Sequence, residues 1–125
     1  MKEIVYSEKA PKPIGPYSQA VWVGNLIFLS GQIGIDPNTG ELVAGGVLAE
    51  TRQVMNNIGA ILAKINLSFD NIIKTTIFLT NLADFAQVNQ IYAEYFKQDF
   101  PARSTIEVKA LPKGAKIEIE VIAQR

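Results

Sequence analysis

The chain has 125 residues, 48% hydrophobic and 19% charged, which is enough apolar content for one domain with a buried core. The absence of Cys excludes disulfides, thiolate nucleophiles and cysteine metal sites, and the absence of His removes the usual general base and the commonest metal ligand. Twelve basic residues balance twelve acidic ones with no basic cluster, so nucleic acid is not an expected partner.

Ile4-Val5-Tyr6 reads as a short strand. The following Ala10 to Tyr17 is a stiff loop, because Pro11, Pro13 and Pro16 exclude both helix and central strand. Ala20 to Val23 and Leu26 to Ser30 are β-rich runs on either side of Gly24-Asn25, a pair suited to positive φ, and they predict a hairpin. Asp36-Pro37-Asn38-Thr39-Gly40 marks a second turn, and Gly45-Gly46 a third. From Val47 the apolar positions recur in three- and four-residue steps through Val54, Met55, Ile58, Ile61, Leu62 and Ile65, the pattern of an amphipathic helix ending near Asn66. Ile72 to Thr80 is β-branched and aromatic, hence a strand. A second helix starts at Asn81, with Asp84 three residues on. Its stripe runs Phe85, Val88, Ile91, Tyr92, Tyr95 and Phe96, and Phe100-Pro101 closes it.

Two alternating runs remain, Arg103 to Lys109 and Lys116 to Ala123, joined by Ala110 to Ala115, and they predict another hairpin. Closed symmetrically about its loop, it sets Glu107 near Glu118 and places Arg103 on one surface with two or three carboxylates. The element order gives an α+β fold, one domain over residues 1–125, with a mixed sheet covered on one face by two helices. Arg103 and Glu118 are expected on the uncovered face, which a partner subunit would cover. No stretch approaches the roughly 18 apolar residues that span a bilayer, and the N-terminus lacks a signal-peptide core, so a cytoplasmic protein is expected.

Chemistry must come from the remaining polar side chains, the backbone and water. Arg103 follows Phe100-Pro101-Ala102 at a strand start, and its planar fork can grip a carboxylate through two parallel hydrogen bonds. An ordinary salt bridge to a neighbouring glutamate is the other reading. Glu118 lies on an otherwise apolar strand, where enclosure would raise its pKa and suit it to proton transfer. Glu120 competes for that role, and a plain solvated sheet face is the alternative to both. Ser30-Gly31-Gln32 ends a strand where glycine lets a ligand approach the backbone, and a nucleophilic Ser30 would have to rely on a lysine base. Tyr17 caps the stiff loop as a pocket wall or a packing residue. These features together suit a small anionic ligand.

The ordered motifs resemble those of the reactive intermediate deaminases, the YjgF/RidA family, over nearly the whole chain. They are Ala10-Pro11, Ile14 to Gln19, Ser30 to Ile33, Asp36-Pro37, Thr39-Gly40, Lys74 to Phe78, Asp84-Phe85, Val88-Asn89, Phe100 to Ser104, Leu111 to Lys113 and Lys116 to Glu120. The resemblance implies a chorismate-mutase-like fold, a homotrimer with its sites in the clefts between subunits, and hydrolysis of 2-imino acids and their enamines to 2-keto acids and ammonia. It implies no metal and no organic cofactor. Arg103 would hold the substrate carboxylate and Glu118 the hydrolytic water, while Tyr17 and Ser30 line the pocket and the backbone at Gly31 and Thr105 helps hold the ligand. Thr105 departs from the cysteine frequent there, which removes any thiol-based regulation. A non-catalytic trimer that binds small carboxylates is the alternative. Chaperone-like or ribonuclease roles find no support in a neutral, His-free chain.

Overall fold

The computed structural model describes residues 1–125. Six strands form one sheet: β1 (Glu3–Val5), β2 (Ala20–Val23), β3 (Leu26–Gln32), β4 (Ile72–Leu79), β5 (Ala102–Glu107) and β6 (Ile117–Gln124). Helix α1 spans Gly46–Lys64 and α2 spans Phe85–Ala93. The spatial order is β1-β2-β3-β6-β4-β5. Only the β4–β5 pair is parallel, so the sheet is mixed as expected.

The first hairpin forms where Gly24, at φ 56°, turns the chain between β2 and β3. Asp36 Oδ1 accepts from Asn38 N at 2.8 Å, which is the local chemistry behind the Asp36 to Gly40 turn. Helix α1 buries Val54, Met55, Ile58, Ile61 and Leu62 on one stripe, as its spacing requires. Helix α2 is shorter than its stripe suggests and ends at Ala93. Asn81 caps a separate 3-10 turn, Leu82–Asp84, by accepting from Ala83 N. Tyr95 and Phe96 lie beyond the helix and pack against Phe69, tilted and edge-on respectively, with ring centroids 5.2 and 6.0 Å away.

The predicted second hairpin does not form. β6 inserts between β3 and β4, and β5 lies at the sheet edge parallel to β4. Burial explains the choice. Ile117, Ile119, Val121 and Ala123 are 0 to 2% exposed and need the sheet centre, whereas the half-exposed β5 suits an edge. The crossover through α2 then returns β5 parallel to β4. Glu107 consequently sits opposite Leu79 and accepts from Leu82 N at 2.9 Å, while Glu118 sits opposite Phe78. Glu107 and Glu118 are not neighbours.

Both helices cover the same sheet face. Residues of α1 and α2 share one apolar cluster with Ile27, Leu29, Ile77, Leu79 and the apolar face of β6. The other face carries Phe28, Ile122, Lys74, Thr76, Glu118, Glu120 and Ile106, and no helix covers it. Phe28 and Ile106 there are 40 and 45% exposed. No helix is long and apolar enough to cross a membrane.

Candidate functional site

The expected site residues fall into two separate patches. The first is a cavity under the stiff N-terminal loop, lined by Tyr17, Gly31, Gln32, Ile14, Pro112 and Glu118, among others. Its loop is held from within. Buried Gln19 accepts from Ser7 N at 2.6 Å, and its amide donates to Ser7 O and Pro11 O at 3.0 and 2.9 Å. A second tether comes from Tyr17, whose hydroxyl accepts from Ile14 N at 3.2 Å. On the β6 side, Glu50 of α1 is 2% exposed and accepts from Lys116 N at 2.8 Å, fixing the strand just ahead of Glu118.

Glu118 projects into this cavity from the uncovered face. Burial raises its pKa above the ordinary carboxylate value, and the like charge of Glu120 two residues on pushes the same way. Gly31 makes room for it. A Cβ at position 31 would lie 2.7 Å from Glu118 Cδ and 2.9 Å from its Cγ, so any other residue would displace the carboxylate. Ser30 does not line the cavity, and its hydroxyl donates to Ser18 O at 2.6 Å. That proton is committed to the backbone, which leaves the nucleophile reading of Ser30 without support.

The second patch surrounds Arg103. Because β5 pairs with β4, Arg103 is in register with Thr75 and points to the helix face, opposite to Glu118. The expectation that both point to the uncovered face is therefore corrected, as is the shared Arg and carboxylate surface within one chain. Arg103 instead lies against aromatic rings, its Cζ 5.1 Å from the Tyr92 centroid and 5.4 Å from that of Phe85. The salt-bridge reading fails as well, since the one ion pair in the chain joins Arg52 to Glu94 at 3.0 Å. With Asn89, Tyr92, Phe100 and Pro101, Arg103 lines a shallow depression open to the outside. Two residues further on, Thr105 Oγ1 is buried without a hydrogen-bond partner.

Tyr92 and Thr75 went unread as functional residues in the sequence. Their hydroxyls are 2.8 Å apart and buried, and burial raises the Tyr92 pKa against the opposing effects of that bond and the Arg103 charge. The available signal was a tyrosine within the apolar stripe of α2, whose hydroxyl needs a buried partner. Gln19 and Glu50 were likewise missed as the polar groups that fix the loop and β6.

One chain thus presents a free guanidinium and a carboxylate of raised pKa on opposite faces. Two such surfaces meet only if two copies of the chain do. No three of its acidic side chains gather as a metal site would need.

The family model described as Endoribonuclease L-PSP matches residues 7–125. A RutC family protein of Pyrococcus horikoshii is 53% identical, covering 100% of this chain and 99% of its own. The human protein named 2-iminobutanoate/2-iminopropanoate deaminase is 50% identical over 98% of this chain and 90% of its own. Among solved structures, a Rid-family protein of Yersinia pestis superposes with a TM-score of 0.97 at 52% identity over 100% of both chains. Escherichia coli TdcF, solved with bound serine, has a TM-score of 0.94 at 43% identity over 98% of each chain.

Proposed function

We propose that this chain, which belongs to the reactive intermediate deaminase (YjgF/RidA) family described as Endoribonuclease L-PSP, hydrolyses 2-imino acids to 2-oxo acids and ammonia at sites shared between subunits of a homotrimer. The observation that carries the reading is Arg103, a guanidinium laid against aromatic rings with no carboxylate partner in its own chain. Such a fork is ready for the α-carboxylate of a substrate. The names of the mammalian relatives support the substrate class, and serine bound to TdcF is a ligand of the matching size.

In this reading the uncovered sheet face joins copies, and the depression at Arg103 of one subunit closes over the cavity holding Glu118 of the next. Tyr17 and Gly31 bound the substrate on the Glu118 side, and Thr105 offers its backbone on the other. Held by its carboxylate, the imine presents C2 to a water on Glu118. Glu118 takes a proton as the water oxygen adds to C2, and the C=N bond becomes a C–N single bond. It returns that proton to the nitrogen of the carbinolamine. Glu118 then takes the hydroxyl proton of the carbinolamine and passes it to the amine nitrogen, so that the C–N bond breaks, ammonia leaves and the C2–O bond becomes the carbonyl of the 2-oxo acid. The site works by fixing one carboxylate and shuttling two protons in turn, because the imine is already electrophilic. The cytoplasm is the compartment proposed. A ribonuclease role gains nothing from a chain of zero net charge without His.

The test is a coupled assay in which an amino-acid dehydratase supplies 2-iminobutanoate and release of 2-oxobutanoate is timed. The chain should accelerate release, Arg103→Ala should abolish the acceleration, and Arg103→Lys should restore little, since an ammonium cannot form the fork. Full acceleration by Arg103→Lys would contradict the carboxylate anchor. Ligand binding without acceleration would favour a non-catalytic carboxylate-binding trimer.

A further inference from the structure

Arginine has many rotamers, and a fork that must grip a carboxylate in one plane binds weakly unless something holds it beforehand. Salt-bridge partners usually do this, at the cost of occupying the N–H groups that the ligand needs. Here no carboxylate lies within bridging distance of Arg103. Its side chain is instead bordered by Phe85 and Tyr92, which stand seven residues apart on the same face of α2.

We propose that Phe85 and Tyr92 are positioning residues that hold the Arg103 guanidinium by its faces and leave its N–H edges free for the substrate carboxylate. The proposal rests on the reading of Arg103 as the carboxylate anchor. Tyr92 is the fixed member. It is 4% exposed, and its hydroxyl is held by Thr75 Oγ1 at 2.8 Å. Thr75 in turn is the β4 residue directly in register with Arg103, so the same backbone ladder that places the arginine places the support of its ring. Phe85 is the open member, 38% exposed at the start of α2, and it contributes little to the core. The arrangement also explains why lysine would serve poorly here. A flat guanidinium matches ring faces, whereas an ammonium gains no orientation from them.

The test uses the intact protein and 2-oxobutanoate, the product-like ligand, with affinity read by calorimetry alongside kcat and KM for 2-iminobutanoate. Replacing Phe85 by trifluorophenylalanine keeps the ring's size and withdraws its negative face. Affinity should fall about threefold to fivefold, the scale of an exposed cation–π contact. KM should rise in step, kcat should change little, and the melting midpoint should stay in place, because the carboxylate is gripped alike before and during reaction. Tyr92→Phe, which keeps the ring, should retain most of the affinity that Tyr92→Leu loses. Unchanged affinity with fluorinated Phe85, together with a complete loss in Arg103→Ala, would overturn the ring support and leave the anchor standing. Equal losses in Tyr92→Phe and Tyr92→Leu would also overturn it, since the hydroxyl and not the ring would then matter. Undiminished binding by Arg103→Ala would remove both the anchor and its support.

Discussion

Glu118 occupies a position where ionisation is costly, half-buried and two residues from a second carboxylate on the same face of β6. That environment suits a group that must both take and return a proton. Glu118→Gln keeps the shape and loses the base. Turnover of 2-iminobutanoate should fall roughly a hundredfold or more, while 2-oxobutanoate still binds. A loss confined to affinity would instead make Glu118 a binding group. Glu120 acts on Glu118 through charge. Glu120→Gln removes one of the two causes that raise the Glu118 pKa, so the acidic limb of the pH–rate profile should move to lower pH. An unmoved limb would mean that the group titrating there is not Glu118.

At the scale of elements, the features legible in the sequence were those set by local chemistry. The Gly24 turn, the Asp36 turn and the stripe of α1 each follow from residues within a few positions of one another. The partner of β5 was not legible in that way. Alternation in Arg103 to Lys109 and Lys116 to Ala123 assigned two strands correctly, but pairing them as neighbours ignored how completely β6 must be buried. That pairing put Arg103 on the wrong face and joined two patches that one chain keeps apart. The choice of Arg103 and Glu118 did not depend on that pairing, because the motif resemblance pointed to both whichever strands are neighbours. Fixing β6 falls partly to Glu50, whose carboxylate caps Lys116 N from α1. Glu50→Ala should destabilise the fold by about 2 kcal/mol, the cost of leaving a partly buried donor unpaired, measurable by urea titration. A change below about 0.5 kcal/mol would show that water satisfies Lys116 N.

For the whole molecule, the uncovered sheet face is the feature that the fold leaves unexplained in a lone chain. Phe28 and Ile106 stand 40 and 45% exposed on it beside Ile122. Burial of this face between copies should yield a trimer at micromolar concentration by sedimentation. Ile106→Asp should shift the mass toward monomer and take activity with it, because a buried unpaired charge is costly and the proposed site draws on two chains. A stable wild-type species of one chain mass, 13.7 kDa, would contradict the shared site.

The division of the site between copies is tested most directly by mixing two inactive variants, Arg103→Ala and Glu118→Gln. After co-refolding in equal amounts, a site is complete when one neighbour supplies an intact Arg103 and the other an intact Glu118. Random assembly of a closed ring makes that about a quarter of all sites. The mixture should therefore recover about a quarter of wild-type turnover, although neither variant alone exceeds about a hundredth of it. A mixture as inactive as its components, with mixed trimers demonstrated by mass, would contradict the account.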